Sequence, residues 1–142
     1  MIIGYKEVNA ALEALPKAMT DKVWGDINFD RAKVIVNREK LEAPEGPTGN
    51  LVDSIGAVRL KKQRLGTVWI GPRRKGGKKG FAGHLLEFGT KKRETKSGAN
   101  RGVMPKNPFA ERSFDREKGT LEKGIADSAA KILKRTIKKY VK

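Results

Sequence analysis

The chain has 142 residues, enough for one domain with a modest core, and its 37% hydrophobic and 6% aromatic residues make that core mainly Val, Ile, Leu and Ala. Cysteine is absent, which excludes disulfides, Cys-based zinc sites and thiol catalysis. The formal net charge of +16, with 34% of residues charged, exceeds the usual charged fraction and points to a thin core supported in part by neighbours in an assembly.

The first third reads as helix. Val8, Leu12, Leu15, Met19, Val23, Ile27, Val34 and Leu41 recur at helical spacing and predict one apolar stripe. Pro16 interrupts it, either kinking one long helix or opening a second near Lys17. A short helix followed by a longer one ending near Glu42 is favoured, stopped by Ala43-Pro44-Glu45-Gly46-Pro47. Thr48 is expected to cap a single helical turn, with Leu51 and Val52 turned to the core. From Ser54 the period changes. Ile55, Ala57 and Arg59 share one face of a strand, and residues 65–71 (LGTVWIG) form a second. Lys61 to Arg64 would connect the two as a hairpin.

Residues 72–80 (PRRKGGKKG) form a basic glycine-rich loop. Residues 81–88 (FAGHLLEF) are apolar enough to be buried, as helix, strand or a run from one to the other. Thr90 to Lys106 is a long polar stretch without periodicity, of the kind that is functional or disordered. Asn107 is placed to cap a helix that Pro108 opens, with Phe109, Ala110, Ser113 and Phe114 as its apolar stripe. After Gly119 and Thr120 a final helix carries Leu121, Ile125, Ala129, Ile132, Leu133 and Ile137, and its basic end complements the helix dipole. The expected fold is a single α+β domain over 1–142: a small antiparallel β-sheet packed against a long N-terminal helix and a C-terminal helix. Its parts would be helices over 1–43, the sheet with basic hairpin and loop over 48–90, a basic loop over 91–107, and C-terminal helices over 108–142.

Catalytic constellations are missing. His84 is the sole histidine, and no serine stands in a Gly-x-Ser-x-Gly setting, so an enzyme is not expected, nor a metal or cofactor. Within its apolar segment His84 reads as a half-buried structural residue. The loop PRRKGGKKG is not a P-loop, and the carboxylates are scattered along helix faces rather than clustered for Mg²⁺. What stands out is basic charge. Residues 1–58 carry net −2, residues 59–106 net +13 and residues 107–142 net +5. Lys61, Lys62, Arg64, Arg73, Arg74, Lys75, Lys78 and Lys79, with Lys91, Lys92 and Arg93 beyond, suit phosphate contacts that position a polyanion without reading sequence. A solvated basic loop is the bland alternative. No aromatic residue alternates with these charges, which argues against a stacking platform for single strands. No basic leader precedes an apolar run, and no stretch reaches the roughly 20 apolar residues of a membrane span. A soluble protein of a reducing compartment, without a membrane partner, is therefore expected.

Three segments resemble a family. They are Ala43-Pro44 with Thr48-Gly49-Asn50-Leu51 and Ser54-Ile55; His84-Leu85-Leu86-Glu87-Phe88-Gly89-Thr90; and Met104-Pro105 with Asn107-Pro108-Phe109, Arg112 and Phe114. In this order they are similar to the small neck or tail-completion proteins of long-tailed DNA phages, over roughly residues 5–118. The resemblance implies a virion protein of the neck or tail end, assembled in the host cytoplasm. It would be a subunit of a homo-oligomeric ring, commonly a hexamer, between portal and head-completion proteins and the tail tube. Double-stranded DNA would pass through the lumen without sequence-specific contacts. It also implies that Gly49 and Gly89 permit turns and that Phe88 and Phe109 anchor the sheet to the last helix. A free-standing, non-specific nucleic-acid-binding protein is the alternative reading of the same charge.

Overall fold

The computed structural model describes residues 5–60, 66–75, 77 and 79–140. In chain order it runs α1 (Tyr5–Ala18), α2 (Asp21–Glu42), α3 (Asn50–Ser54), β1 (Ile55–Arg59) and β2 (Val68–Pro72). A 3-10 turn (Gly80–Ala82), α4 (Gly83–Phe88) and α5 (Phe109–Tyr140) follow. The fold is α+β, mainly helical with one two-stranded antiparallel sheet, β1–β2. The expected connection Lys61 to Arg64 lies outside the described residues.

Several local expectations are corrected. Pro16 sits in the last turn of α1 and starts nothing. The chain breaks at Met19–Thr20 instead, where the Thr20 hydroxyl accepts from the Val23 N–H at 3.4 Å. Thr48 does not cap α3: that position belongs to Gly49, at φ 60°, with no side-chain cap. Gly119 and Thr120 do not interrupt α5, which continues for 32 residues; one glycine costs a helix only about 1 kcal/mol. The apolar stripe is only partly the buried face. Val8, Leu12 and Leu41 are exposed, while of the expected stripe Ile27 is buried and Leu15, Met19, Val23 and Val34 are half-buried; α1 also buries Ala11 and α2 also buries Gly25, Ala32, Ile35 and Glu39. Gly25, Ala32 and Glu39 share a face through their seven-residue spacing, about half a turn from the face of Ile27, Val34 and Leu41, which is buried only at Ile27 and opens to solvent towards Leu41.

Two compact parts are distinguished, and α2, the hairpin and α5 contribute residues to each. One comprises Met1–Ala32, Val58–Trp69 and Gly119–Lys142. Here Gly66 meets α2 backbone to backbone. With φ 60° at Gly66, a Cβ would lie 2.1 Å from the Gly25 nitrogen, so only glycine fits there. The Asn28 side-chain amide donates to the Gly66 carbonyl at 3.2 Å. Arg59 pairs with Asp26 and lies 4.8 Å over the Phe29 ring. Arg31 donates to the Ser128 hydroxyl through Nε and Nη2 at 3.2 and 2.9 Å. Gly124 leaves room for its stem, since a Cβ there would stand 3.0 Å from Arg31 Cδ.

The other part comprises Lys33–Ala57 and Ile70–Lys118. Its core is Ala43, Ile55 and Phe109, with Val36, Leu51, Val52, Leu86 and Ala110 packed around them. Burying an aromatic ring and a branched aliphatic side chain supplies most of the driving force, about 2–3 kcal/mol each. Glu42 accepts from both Arg112 and Arg116 at 3.3 and 2.9 Å, and Arg38 pairs with Glu117 at 2.8 Å. These arginines are partly exposed, so the pairs fix geometry more than they add stability. Among the described residues no helix is long and apolar enough to cross a membrane.

Candidate nucleic-acid interface

The three motif segments meet in the second part. Ser54 and Ile55, at the junction of α3 and β1, are buried, and the Ser54 hydroxyl donates to the Leu51 carbonyl at 2.6 Å. Phe109 opens α5 and is 1% exposed. Glu87, from α4, closes the assembly. Its carboxylate accepts from the Ala110 N–H at 3.0 Å and the Glu111 N–H at 3.1 Å. The first N–H groups of a helix lack internal partners and favour negative charge, so Glu87 caps α5 from 23 residues upstream. The cap expected of Asn107 is thereby corrected. The Asn107 side-chain oxygen accepts from Arg112 Nη2 at 2.8 Å, and its N–H donates to the Leu86 carbonyl at 2.9 Å. Pro108 lies half-buried just ahead of α5.

Gly89 follows at φ 72°, where a Cβ would stand 2.9 Å from the Met104 carbonyl oxygen. Thr90 locks this turn. Its hydroxyl accepts from the Met104 N–H at 2.9 Å, and its own N–H donates to the Met104 carbonyl at 2.9 Å. Beyond it the stretch read as aperiodic folds back on itself. Arg93 and Gly102, Arg101 and Arg93, and Thr95 and Ala99 pair through the backbone, and Glu94 bridges to Asn100. The result is a basic arm.

A buried carboxylate lies beneath these motifs. Glu39 is 1% exposed, and its Oε1 finds no hydrogen-bond donor among the described residues. Burial pushes the Glu39 carboxyl up to about 7, and the negative charge of Glu87 adds to the rise. Neither group stands in a nucleophile–base arrangement. Among the described residues no three His, Asp or Glu side chains are grouped to hold a metal ion.

The basic residues divide. Arg73 is half-buried and structural: its N–H donates to the Ser54 carbonyl at 3.0 Å and its carbonyl accepts from the Gly80 N–H at 2.9 Å. Gly56 makes room for its guanidinium, which a Cβ would approach to 2.9 Å. Arg74, Lys75, Lys79, Lys91, Lys92 and Arg93 are exposed. Lys92 sits 3.2 Å from Glu94. Lys78 lies outside the described residues, as do Lys61, Lys62 and Arg64.

Two expectations about aromatic residues are overturned. Phe88 does not anchor the sheet; it is 74% exposed, and Phe81 is 63% exposed. His84 is exposed rather than half-buried, with Nδ1 3.3 Å from Arg74 Nη2. The physical reason is the helical period of a short element. Once Gly83, Leu86 and Glu87 face the core side, residues 81, 84 and 88 fall on the opposite side. That three-and-four spacing was present in the sequence and is the signal that marks the row. The chain matches no family model, and neither a curated protein nor a solved structure shows significant similarity to it.

Proposed function

We propose that the chain is a non-enzymatic structural protein of the virion of a long-tailed DNA phage, a subunit of a neck or tail-completion ring that DNA traverses. One observation carries the reading. The three motif segments that resemble the family converge on one core, where Ile55 and Phe109 belong to one buried cluster with Leu51 and Leu86 against it, and Glu87 caps the helix that Phe109 opens. Their roles are those of a scaffold, and the exposed cations Arg74, Lys75 and Lys79 and those of the arm remain for a polyanion or an acidic neighbour. Repeated around a ring, such charges make DNA contact steeply salt-dependent and indifferent to sequence.

Light scattering behind size exclusion, at low and high salt, followed by electron microscopy of any large species, tests this. Annular particles of several subunits are expected. A strict monomer that neither forms rings nor joins isolated tails or filled heads would overturn the proposal. The second reading, a free-standing basic nucleic-acid-binding protein, draws on the same exposed cations. A monomer that binds duplex DNA tightly without partners would favour it.

A further inference from the structure

Between the two basic segments runs the row Phe81, His84 and Phe88. The 3-10 turn leads directly into α4, so the spacing of three and four residues sets these rings along one side, over about 10 Å of axis. Two phenyl rings left 63% and 74% in water forfeit much of the burial that aromatic side chains ordinarily achieve. They carry no structural load in the core described above.

Cations stand at both ends of the row and at its middle. Lys79 immediately precedes the 3-10 turn, and Lys91 and Lys92 follow the Gly89 turn. At the centre the Arg74 guanidinium lies beside the His84 ring. Glu45 lines one hollow with Lys79 and Phe81 at the first end of the row, and the surrounding stretch of chain adds few carboxylates. Between residues 59 and 106 the sequence holds only Glu87 and Glu94; the first is engaged on α5 and the second on Lys92. A ligand that fits this face has flat apolar surfaces to cover the rings and dense negative charge on either side.

We propose that this face binds single-stranded nucleic acid, with unpaired bases laid on Phe81 and Phe88 and the phosphates held by Arg74, Lys75, Lys79 and Lys91. Duplex DNA offers the phosphates but keeps its base faces stacked within, so the rings gain nothing from it. Along the sequence no aromatic residue alternates with the basic ones, which argues against a stacking platform. In the fold, however, Phe81 and Phe88 stand exposed between the two basic segments, and stacking on aromatic side chains beside basic residues accepts any base and gives affinity without sequence readout. The proposal goes beyond the ring reading and does not depend on it, since the row is complete in one copy of the chain.

Fluorescence anisotropy of labelled oligo(dT), a duplex of equal length, heparin and poly-glutamate tests it on the full chain at fixed low salt. Wild type is expected to prefer oligo(dT) to the duplex. Phe81→Ala with Phe88→Ala weakens oligo(dT) binding by about fivefold to a hundredfold per ring while heparin binding stays within about twofold. Phe88→Trp retains oligo(dT) affinity. Arg74→Ala weakens oligo(dT) and heparin together. Both phenylalanines are exposed, so an unchanged circular dichroism spectrum is expected for each variant. Equal binding of duplex and single strand by wild type overturns the proposal, as does an alanine double variant with undiminished oligo(dT) affinity. Poly-glutamate binding that falls in step with oligo(dT) in the double variant also overturns it, in favour of an acidic protein partner.

Discussion

Replacing Glu39 by methionine separates the charge of a buried carboxyl from the space it fills, because methionine is unbranched and of similar length. The carboxyl moves from 4.5 to about 7 in the fold, chiefly through burial and secondarily through Glu87. The native state therefore binds more protons than the unfolded chain between these pH values. Stability falls as pH rises from about 4.5 to about 7 and is flat above that. At about 1.4 kcal/mol per pH unit, the interval amounts to about 3 kcal/mol lost at pH 8 relative to pH 4.5. Glu39→Met removes that slope. Urea unfolding of wild type and variant between pH 4.5 and 8, followed by circular dichroism, reads the difference directly, since other titrating groups cancel between the two proteins. The variant is expected to be the more stable at pH 8, and its lead over wild type should widen by about 3 kcal/mol across the range. A lead that stays constant from pH 5 to 8 would refute the assignment of a proton-holding carboxyl to this site.

Glu87→Ala removes the acceptor of two α5 N–H groups and is expected to cost about 1–2 kcal/mol in the same assay. Glu87→Gln, which keeps an acceptor and loses the charge, should cost less and move the pH-dependent interval of Glu39 downward. Gly119→Ala should raise the melting temperature, as nothing lies within 4 Å of the new Cβ and alanine favours a helix by about 1 kcal/mol. Gly66→Ala should fail to fold or melt many degrees lower, because its Cβ would intrude on the Gly25 backbone. Phe109→Ala should cost about 3–5 kcal/mol in chemical unfolding, against little change for the exposed Phe88→Ala.

Much of the architecture was legible because it depends on local punctuation. The helix stop at residues 43–47, the two β-rich runs and the Pro108 helix start are written in residue types whose backbone preferences are strong. The faces were harder. Beside Ile27, which the apolar stripe does mark, α2 buries Gly25, Ala32, Ile35 and Glu39, and hydropathy periodicity does not weigh a glycine, an alanine or a carboxylate as core. The same blindness concealed the α5 cap. A cap supplied from 23 residues away leaves no signature at residues 107–110, where Asn107 and Pro108 form a credible local start. Phe88 misled in the opposite direction, since an aromatic residue in an apolar run reads as buried until the helical period decides which side it occupies. Of the described basic residues singled out for a polyanion, Arg73 is the one drawn inward, and Gly56 makes room for it.

The cap that Glu87 supplies also ties the start of α5 to a distant stretch of chain. A helix of 32 residues ordinarily nucleates on local sequence, with its own first side chains accepting the free N–H groups. Here the first turn of α5 gains its acceptor only after α4 has formed and the Gly89 turn and the arm have closed behind it. The start of α5 is therefore expected to consolidate with that loop closure rather than on local helix propensity, which stopped-flow folding of Glu87→Ala against wild type checks. A peptide cut from residue 107 onward would keep its C-terminal turns and fray at the end that bears Phe109. In the intact chain, destabilising the arm would slow the appearance of the core around Phe109 without touching one of its side chains.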